Sequence, residues 1–224
     1  VIEGEELNAI VANIPLDDPD AKEAVKLAVL KHLNEKYGIV EQDFNFAELE
    51  FAPAAQACDI GFDSSMIGAY GHDDRVCVYT SLRALLDVKK PAHTALAFFA
   101  DKEEIGSVGD SGAESFILQH FAEEYIRLTG AGITVGRLLS RSKALSADVT
   151  CAQDPNFKSV NDSRNVSYLG RGVSVEKYGG ARGKYDSNDA HAEYMAHIRR
   201  ILDANGIPWQ TGELGKIDIG GGGT

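Results

Sequence analysis

Two hydrophobic periods run along this chain, and the switches between them mark out its elements. Residues 5–14 (ELNAIVANIP) are apolar-rich and suit a short buried strand. Asp17-Asp18-Pro19-Asp20 then has the marks of a helix start, with acidic groups at the positive end and proline in the first turn. From about Ala21 to Lys36 the helical period places Val25, Ala28, Val29, Leu33 and Tyr37 on one face, and Gly38 can end the helix. Glu48-Leu49-Glu50-Phe51 alternates polar and apolar, as a half-buried strand does. Residues 1 to about 60 thus predict a small α/β unit with a single clear helix, too little to stand alone.

The pattern changes after Pro53. Asp74 to Lys90 is helical, with Val76, Tyr79, Leu82 and Leu86 in register. His93 to Ala100 (HTALAFFA) is almost continuously apolar, which fits a strand buried on both faces of a sheet. Asp101-Lys102-Glu103-Glu104 follows at its carboxyl end, and the loop Gly106-Ser107-Val108-Gly109 leads into a helix from about Ala113 to Leu128 that Gly130 can cap. Ala144 to Val149 and Gly172 to Glu176 read as further strands. Asp189 to Ala204 reads as a helix stopped by Gly206-Ile207-Pro208-Trp209. Strands and helices alternate, so the expected class is α/β, a mixed central sheet flanked by helices. No internal repeat or low-complexity linker interrupts it, and Gly179 to Gly183 reads as a loop.

Composition narrows the function classes. The hydrophobic share of 44% and charged share of 25% fit a globular chain rather than a disordered one. A formal net charge of −12, with no Lys/Arg stripe, disfavours nucleic acid and an anionic membrane surface as partners. The apolar runs are far shorter than a membrane span, and no signal peptide is visible. Cys58, Cys77 and Cys151 are odd in number and widely spaced, which predicts a reducing, cytoplasmic setting. The chain opens on Val1 and stops in Gly220-Gly221-Gly222-Gly223-Thr224, and neither end reads as a natural terminus.

Candidate chemistry sits where the acids gather. In open α/β sheets, sites form beyond the carboxyl ends of strands. Asp73-Asp74, Glu103-Glu104 and Asp148 all fall at predicted strand ends or helix starts. Adjacent carboxylates repel, and a dication or a proton relieves the repulsion. Of two neighbouring glutamates, one can hold a metal while the other takes a proton from water. Plainer readings stand beside this one: Asp73-Asp74 as a helix cap, and Glu103-Glu104 as a solvated loop. Cys151 reads as a small packed residue. Gly220 to Gly223 lacks the following helix and the Lys-Ser/Thr of a phosphate loop.

Tyr70-Gly71-His72-Asp73-Asp74-Arg75-Val76-Cys77, then Asp101-Lys102-Glu103-Glu104-Ile105-Gly106-Ser107, then Ser146-Ala147-Asp148 resemble the aspartyl aminopeptidase / aminopeptidase I family of zinc metallopeptidases. Glu48-Leu49-Glu50-Phe51-Ala52-Pro53 and Gly212-Glu213-Leu214-Gly215 extend the likeness over essentially the whole chain. The resemblance implies that residues 1–64 are part of a dimerisation domain and residues 65–224 most of a catalytic zinc-peptidase domain. It implies Asp73 as a carboxylate bridging two zinc ions, with a cis peptide to Asp74. Glu103 matches the general base toward the attacking water, Glu104 a ligand of one zinc and Asp148 a ligand of the other. Co2+ or Mn2+ are possible substitutes for Zn2+. The implied activity is hydrolysis of the N-terminal residue of peptide substrates, in a homo-oligomer built from dimers.

The family has two further ligands, both histidines, and none of His32, His72, His93, His120, His191 or His197 occupies a matching motif. His120 reads as structural on its helix, and His191 and His197 as solvent or packing residues. The match begins within the inserted dimerisation domain and ends before the last catalytic segment, so the chain reads as an internal stretch of the family's full length. Gly183-Lys184-Tyr185-Asp186 falls where the family has a substrate-side loop, or is a surface turn. Two other functions remain compatible: a dinuclear deacylase or amidohydrolase, and a catalytically inert oligomerisation segment.

Overall fold

A computed structural model of the chain describes residues 3–179 and 189–216. The chain divides into two compact units, Val1–Tyr70 and Gly71–Thr224.

In the first unit, helix α1 spans Ala24–Tyr37. It starts later than the expected Ala21 because Asp18 organises a turn: its carboxylate accepts from the Asp20 N–H at 3.0 Å and its carbonyl from the Ala21 N–H at 3.1 Å. Gly38 ends α1 as expected, at φ 72° with its N–H donating to the Asn34 carbonyl at 2.8 Å. A short helical turn, Glu41–Asn45, follows, anchored by the Val40 N–H on the Asp43 carboxylate at 2.8 Å. Strands β1 (Cys58–Ile60) and β2 (Met66–Gly68) form an antiparallel hairpin that the hydrophobic pattern did not reveal. Each is three residues long, too short to show a period.

The second unit holds α2 (His72–Asp87), α3 (Ile117–Thr129), α4 (Val135–Leu139), β3 (Val173–Glu176), α5 (Ala192–Ala204) and β4 (Trp209–Gly212). β3 and β4 pair in parallel with α5 between them in sequence, a βαβ unit. The Gln210 amide clips the Tyr168 backbone, accepting from its N–H at 2.9 Å and donating to its carbonyl at 3.0 Å. Around this unit lie Asn161, Val166 and Ser167, each under 5% exposed. Asn161 also accepts from the Gly215 N–H at 3.1 Å.

The mixed α/β class holds, and the fold carries helices beside small antiparallel and parallel sheets. Several expected strands do not form. Residues 5–14 make a turn at Gly4–Glu6 and then an exposed irregular run, with Ile10 94% exposed. Glu48–Phe51 is exposed and forms no strand, and the same holds for most of His93–Ala100 and Ala144–Val149. Apolar content signals that a segment needs cover, but a strand also needs a neighbour to complete its ladder. None of the described residues supplies that neighbour. No helix among the described residues is long and apolar enough to cross a membrane.

Trp209 is the sole tryptophan and opens β4, a strand that the expected stop at Gly206 to Trp209 left out. Its indole N–H donates to Asp203 at 2.8 Å, and this bond, followed by the Arg199 guanidinium, holds the Asp203 carboxyl below its ordinary value. A depressed carboxyl contributes stability that is complete above its unfolded value and is lost as pH falls through the lower, folded one. Trp209 emission is therefore expected to stay constant on acidification until below the ordinary aspartate range. Asp203→Asn should remove that low-pH transition, as steady-state fluorescence against pH will show.

Candidate metal centre

Each acidic block is held by a different local device. Gly71, at φ 73°, turns the chain into α2. Asp73 and Asp74 depart from helical dihedrals (φ −86°, ψ 111° and φ −116°, ψ 32°), so their side chains leave the helix start instead of following its spiral. The peptide between them is cis, as the resemblance implies. Both lie in the positive first turn of α2, which favours negative charge.

Glu103 and Glu104 lie on a helical turn, Glu103–Ile105, between Lys102 and Gly106, both in the left-handed region. Lys102 pays for a conformation that costs a non-glycine residue about 1–2 kcal/mol, and its carbonyl accepts from the Ser107 N–H at 2.7 Å. The loop is closed by a bridge between Asp101 and Gly112, in which the Asp101 N–H donates to the Ser111 carbonyl at 3.1 Å. Ser111 Oγ adds a bond to the Asp101 carboxylate at 3.2 Å. Gly112 is buried against this loop, and a Cβ there would sit 2.0 Å from the Ser107 carbonyl oxygen. Gly112→Ala is expected to destabilise by roughly 1–3 kcal/mol and to displace Glu103. Its midpoint in urea should fall, with a loss of turnover in the complete protein larger than that shift explains.

Asp148 comes from the exposed segment before Thr150, and one of its oxygens accepts from the Val149 N–H at 2.7 Å. The fold brings it to the start of α2. Carboxylate oxygens of Asp73, Asp74 and Asp148 all lie within 4.8 Å of one another. Glu103 and Glu104 stand outside this trio, but the Glu104 charge acts on Asp73 and the charges of the trio act on Glu103. Burial raises the Asp73 carboxyl first, and Asp148, Asp74 and Glu104 raise it further. Glu103 is raised first by burial, then by Asp148, Glu104, Asp73 and Asp74.

Two participants had no ligand role assigned from sequence. Asp74, noted there as half of an acidic pair and as partner to the cis peptide, joins the trio, and its Oδ1 is buried with no hydrogen-bond partner. Cys77, three residues on in α2, lies within hydrogen-bond reach of it. Burial pushes the Cys77 thiol up to about 12, helped by a hydrogen bond with Asp74 and then by the charges of Asp74, Asp148 and Asp73. The adjacent pair of aspartates was the signal for Asp74, and the three-residue helical spacing was the one for Cys77.

No histidine joins the cluster among the described residues. His120 stacks on Phe116 with ring centroids 6.2 Å apart, and His197 on Tyr194 at 6.1 Å. His191 pairs with Glu193 at 2.5 Å on the surface. Cys151, expected as a packed residue, is exposed, because ladder pairing resumes only at Ala152. The segments Gly183-Lys184-Tyr185-Asp186 and Gly220 to Gly223 lie outside the described residues.

Gathered carboxylates that raise the proton affinity of Asp73 and Glu103 suit a dication, whose charge would replace the protons. The family profile described as aminopeptidase I zinc metalloprotease (M18) matches residues 2–224. This chain belongs to the M18 family. A probable M18 family aminopeptidase 1 from Clostridium acetobutylicum is 47% identical over 226 residues, covering 100% of this chain and 49% of that protein. The crystal structure of an M18 aminopeptidase from Thermotoga maritima superposes with a TM-score of 0.88 at 47% identity, covering 95% of this chain and 48% of that one. Aminopeptidase I from C. acetobutylicum superposes with a TM-score of 0.88 at 47% identity, covering 100% and 48%. The M18 chain described here thus spans about half the length of the relatives it matches.

Proposed function

We propose that the complete protein to which these residues belong is a zinc aminopeptidase that removes the N-terminal residue of peptides using two zinc ions. The observation that carries this reading is the convergence of Asp73, Asp74 and Asp148, with Glu103 and Glu104 in electrostatic reach. The raised Asp73 and the orphaned buried oxygen of Asp74 fit a bound cation better than an empty acidic surface.

In this reading Asp73, Glu104 and Asp148 would hold the two ions, in the roles the family resemblance implies. When bound, the ions act as Lewis acids toward the scissile carbonyl and lower the pKa of water. Glu103 takes the proton of the attacking water on its carboxylate and passes it to the leaving amine. Its raised affinity for protons moves it from a weak base toward one matched to neutral pH. The family's remaining ligands belong to parts of the protein beyond these residues. Residues 1–64 contribute to dimerisation, and the whole protein assembles from dimers into a homo-oligomer. Three free cysteines support a reducing, cytoplasmic setting.

Zinc content after dialysis tests the reading. The complete protein is expected to retain two zinc ions per chain, and Asp73→Ala and Asp148→Ala to lose them. An intact zinc complement in both variants would move the site elsewhere. An aminoacyl-nitroanilide panel run beside N-acylated amino acids then assigns the substrate class. Turnover of the N-acylated set would replace the peptidase by a deacylase, and turnover of neither would leave an inert assembly protein.

A further inference from the structure

Asp148 sits on a stretch with little of its own to hold it. It is exposed, and ladder pairing resumes only at Ala152, which bridges to Ser167. Between them, half-buried Thr150 turns inward, and its Oγ1 donates to Glu176 Oε1 at 2.6 Å. Glu176 is the last residue of β3, twenty-six residues further along the chain. Its Oε1 also accepts from Ser174 Oγ at 3.4 Å, and Ser174 Oγ is bonded in turn to Ser167 Oγ at 2.6 Å.

This polar chain is built in. Ser167 is 4% exposed. Gly212 of β4 passes so close that a Cβ there would lie 2.1 Å from Ser167 Oγ and 2.7 Å from Ser174 Oγ. The far end of the chain therefore rests on the parallel β3–β4 pair. Its near end stops two residues from Asp148, about 7 Å of chain at most. The bond ties half-buried Thr150 to an element far along the chain, where a nearer backbone group would equally satisfy its hydroxyl. The bond has a use if the position of Asp148 matters.

We propose that Thr150 and Glu176 are a positioning pair for Asp148: the hydroxyl-to-carboxylate bond anchors the 148–150 segment to β3 and holds the Asp148 carboxylate at metal-binding distance from Asp73. Neither residue touches the metal or the substrate. The inference rests on Asp148 being a metal ligand. Groups that orient a ligand from behind typically change metal affinity by about 10–100-fold when removed.

The test is a Co2+ titration of the metal-free complete protein, followed by visible absorption, for the unaltered protein, Thr150→Val and Thr150→Ser. Valine keeps the shape of threonine and loses the hydroxyl, and serine restores the donor. Thermal melts of the metal-free forms control for folding. The expected result is one Co2+ site weakened about 10–100-fold in Thr150→Val with a changed absorption band, and recovery to near the unaltered affinity and band in Thr150→Ser. Thr150→Val with the affinity and spectrum of the unaltered protein would overturn the inference. Equal losses in the valine and serine variants would overturn it too, since packing alone would then account for them. An unaltered protein that binds no Co2+ would instead remove the metal reading of Asp148, on which the pair depends.

Discussion

Glu103→Gln in the complete protein is expected to lower kcat by about 10²–10⁴-fold while zinc content and KM stay near their original values. Glutamine preserves the size and most of the polarity of the side chain but cannot accept the proton. Glu103 lies outside the trio of Asp73, Asp74 and Asp148, and in the proposed reading it takes the proton and not an ion. Its elevated proton affinity comes first from burial, and then from Asp148, Glu104, Asp73 and Asp74. Bound cations would cancel much of the contribution of those four charges and leave that of burial. The acid limb of the kcat–pH profile should therefore report a carboxyl above the ordinary glutamate value, and that limb should disappear in the variant. Zinc analysis and kinetics on the same preparation decide the matter: full turnover with full zinc removes Glu103 as the base, and loss of zinc makes it a ligand.

What could be read in advance depended on whether the signal was local. Helices α1, α2, α3 and α5 were visible as apolar faces, and Gly38 and Gly130 as their stops, because a helix satisfies its backbone within itself. β3 was visible, while β4 was hidden by Gly206 and Pro208, which mark the end of α5 and also precede a strand that pairs in parallel with β3. His93–Ala100 and Ala144–Val149 show the opposite error. Their apolar runs were real, but a ladder depends on a neighbour that no stretch of local sequence describes. Ridges of exposed apolar side chains such as Leu96, Phe98, Phe99 and Leu145 are what remain.

The candidate centre follows the same division. Asp73, Glu103, Glu104 and Asp148 could be named because each sits in a short block with its own residue pattern. That Asp74 turns inward depends on two dihedral angles at the start of α2. That Cys77 comes within reach of Asp74 depends on the same departure from helical dihedrals. The bond from Thr150 to Glu176 joins segments separated by a helical turn and the start of a sheet, and neither residue belongs to a motif.

Asp73→Asn is expected to have opposite effects on stability with and without metal. In the metal-free protein Asp73 binds its proton more tightly than an unfolded aspartate does, through burial and the charges of Asp148, Asp74 and Glu104. A raised carboxyl contributes stability that is complete below the unfolded value and is lost as pH rises through the folded one. Above that folded value the metal-free protein carries the repulsion in full, and asparagine relieves it without changing shape. The metal-free variant should melt above the metal-free parent at pH 7, with the difference closing as pH falls below the ordinary aspartate value. Zinc reverses the order. A ligand at one hundred times its Kd stabilises the folded state by about 2.7 kcal/mol, and Asp73→Asn forfeits this along with nearly all turnover, since asparagine brings no charge to the ions. Melts at several pH values, each with and without zinc, separate the two effects. A variant that melts below the parent under every condition would mean that Asp73 serves the fold rather than a cation.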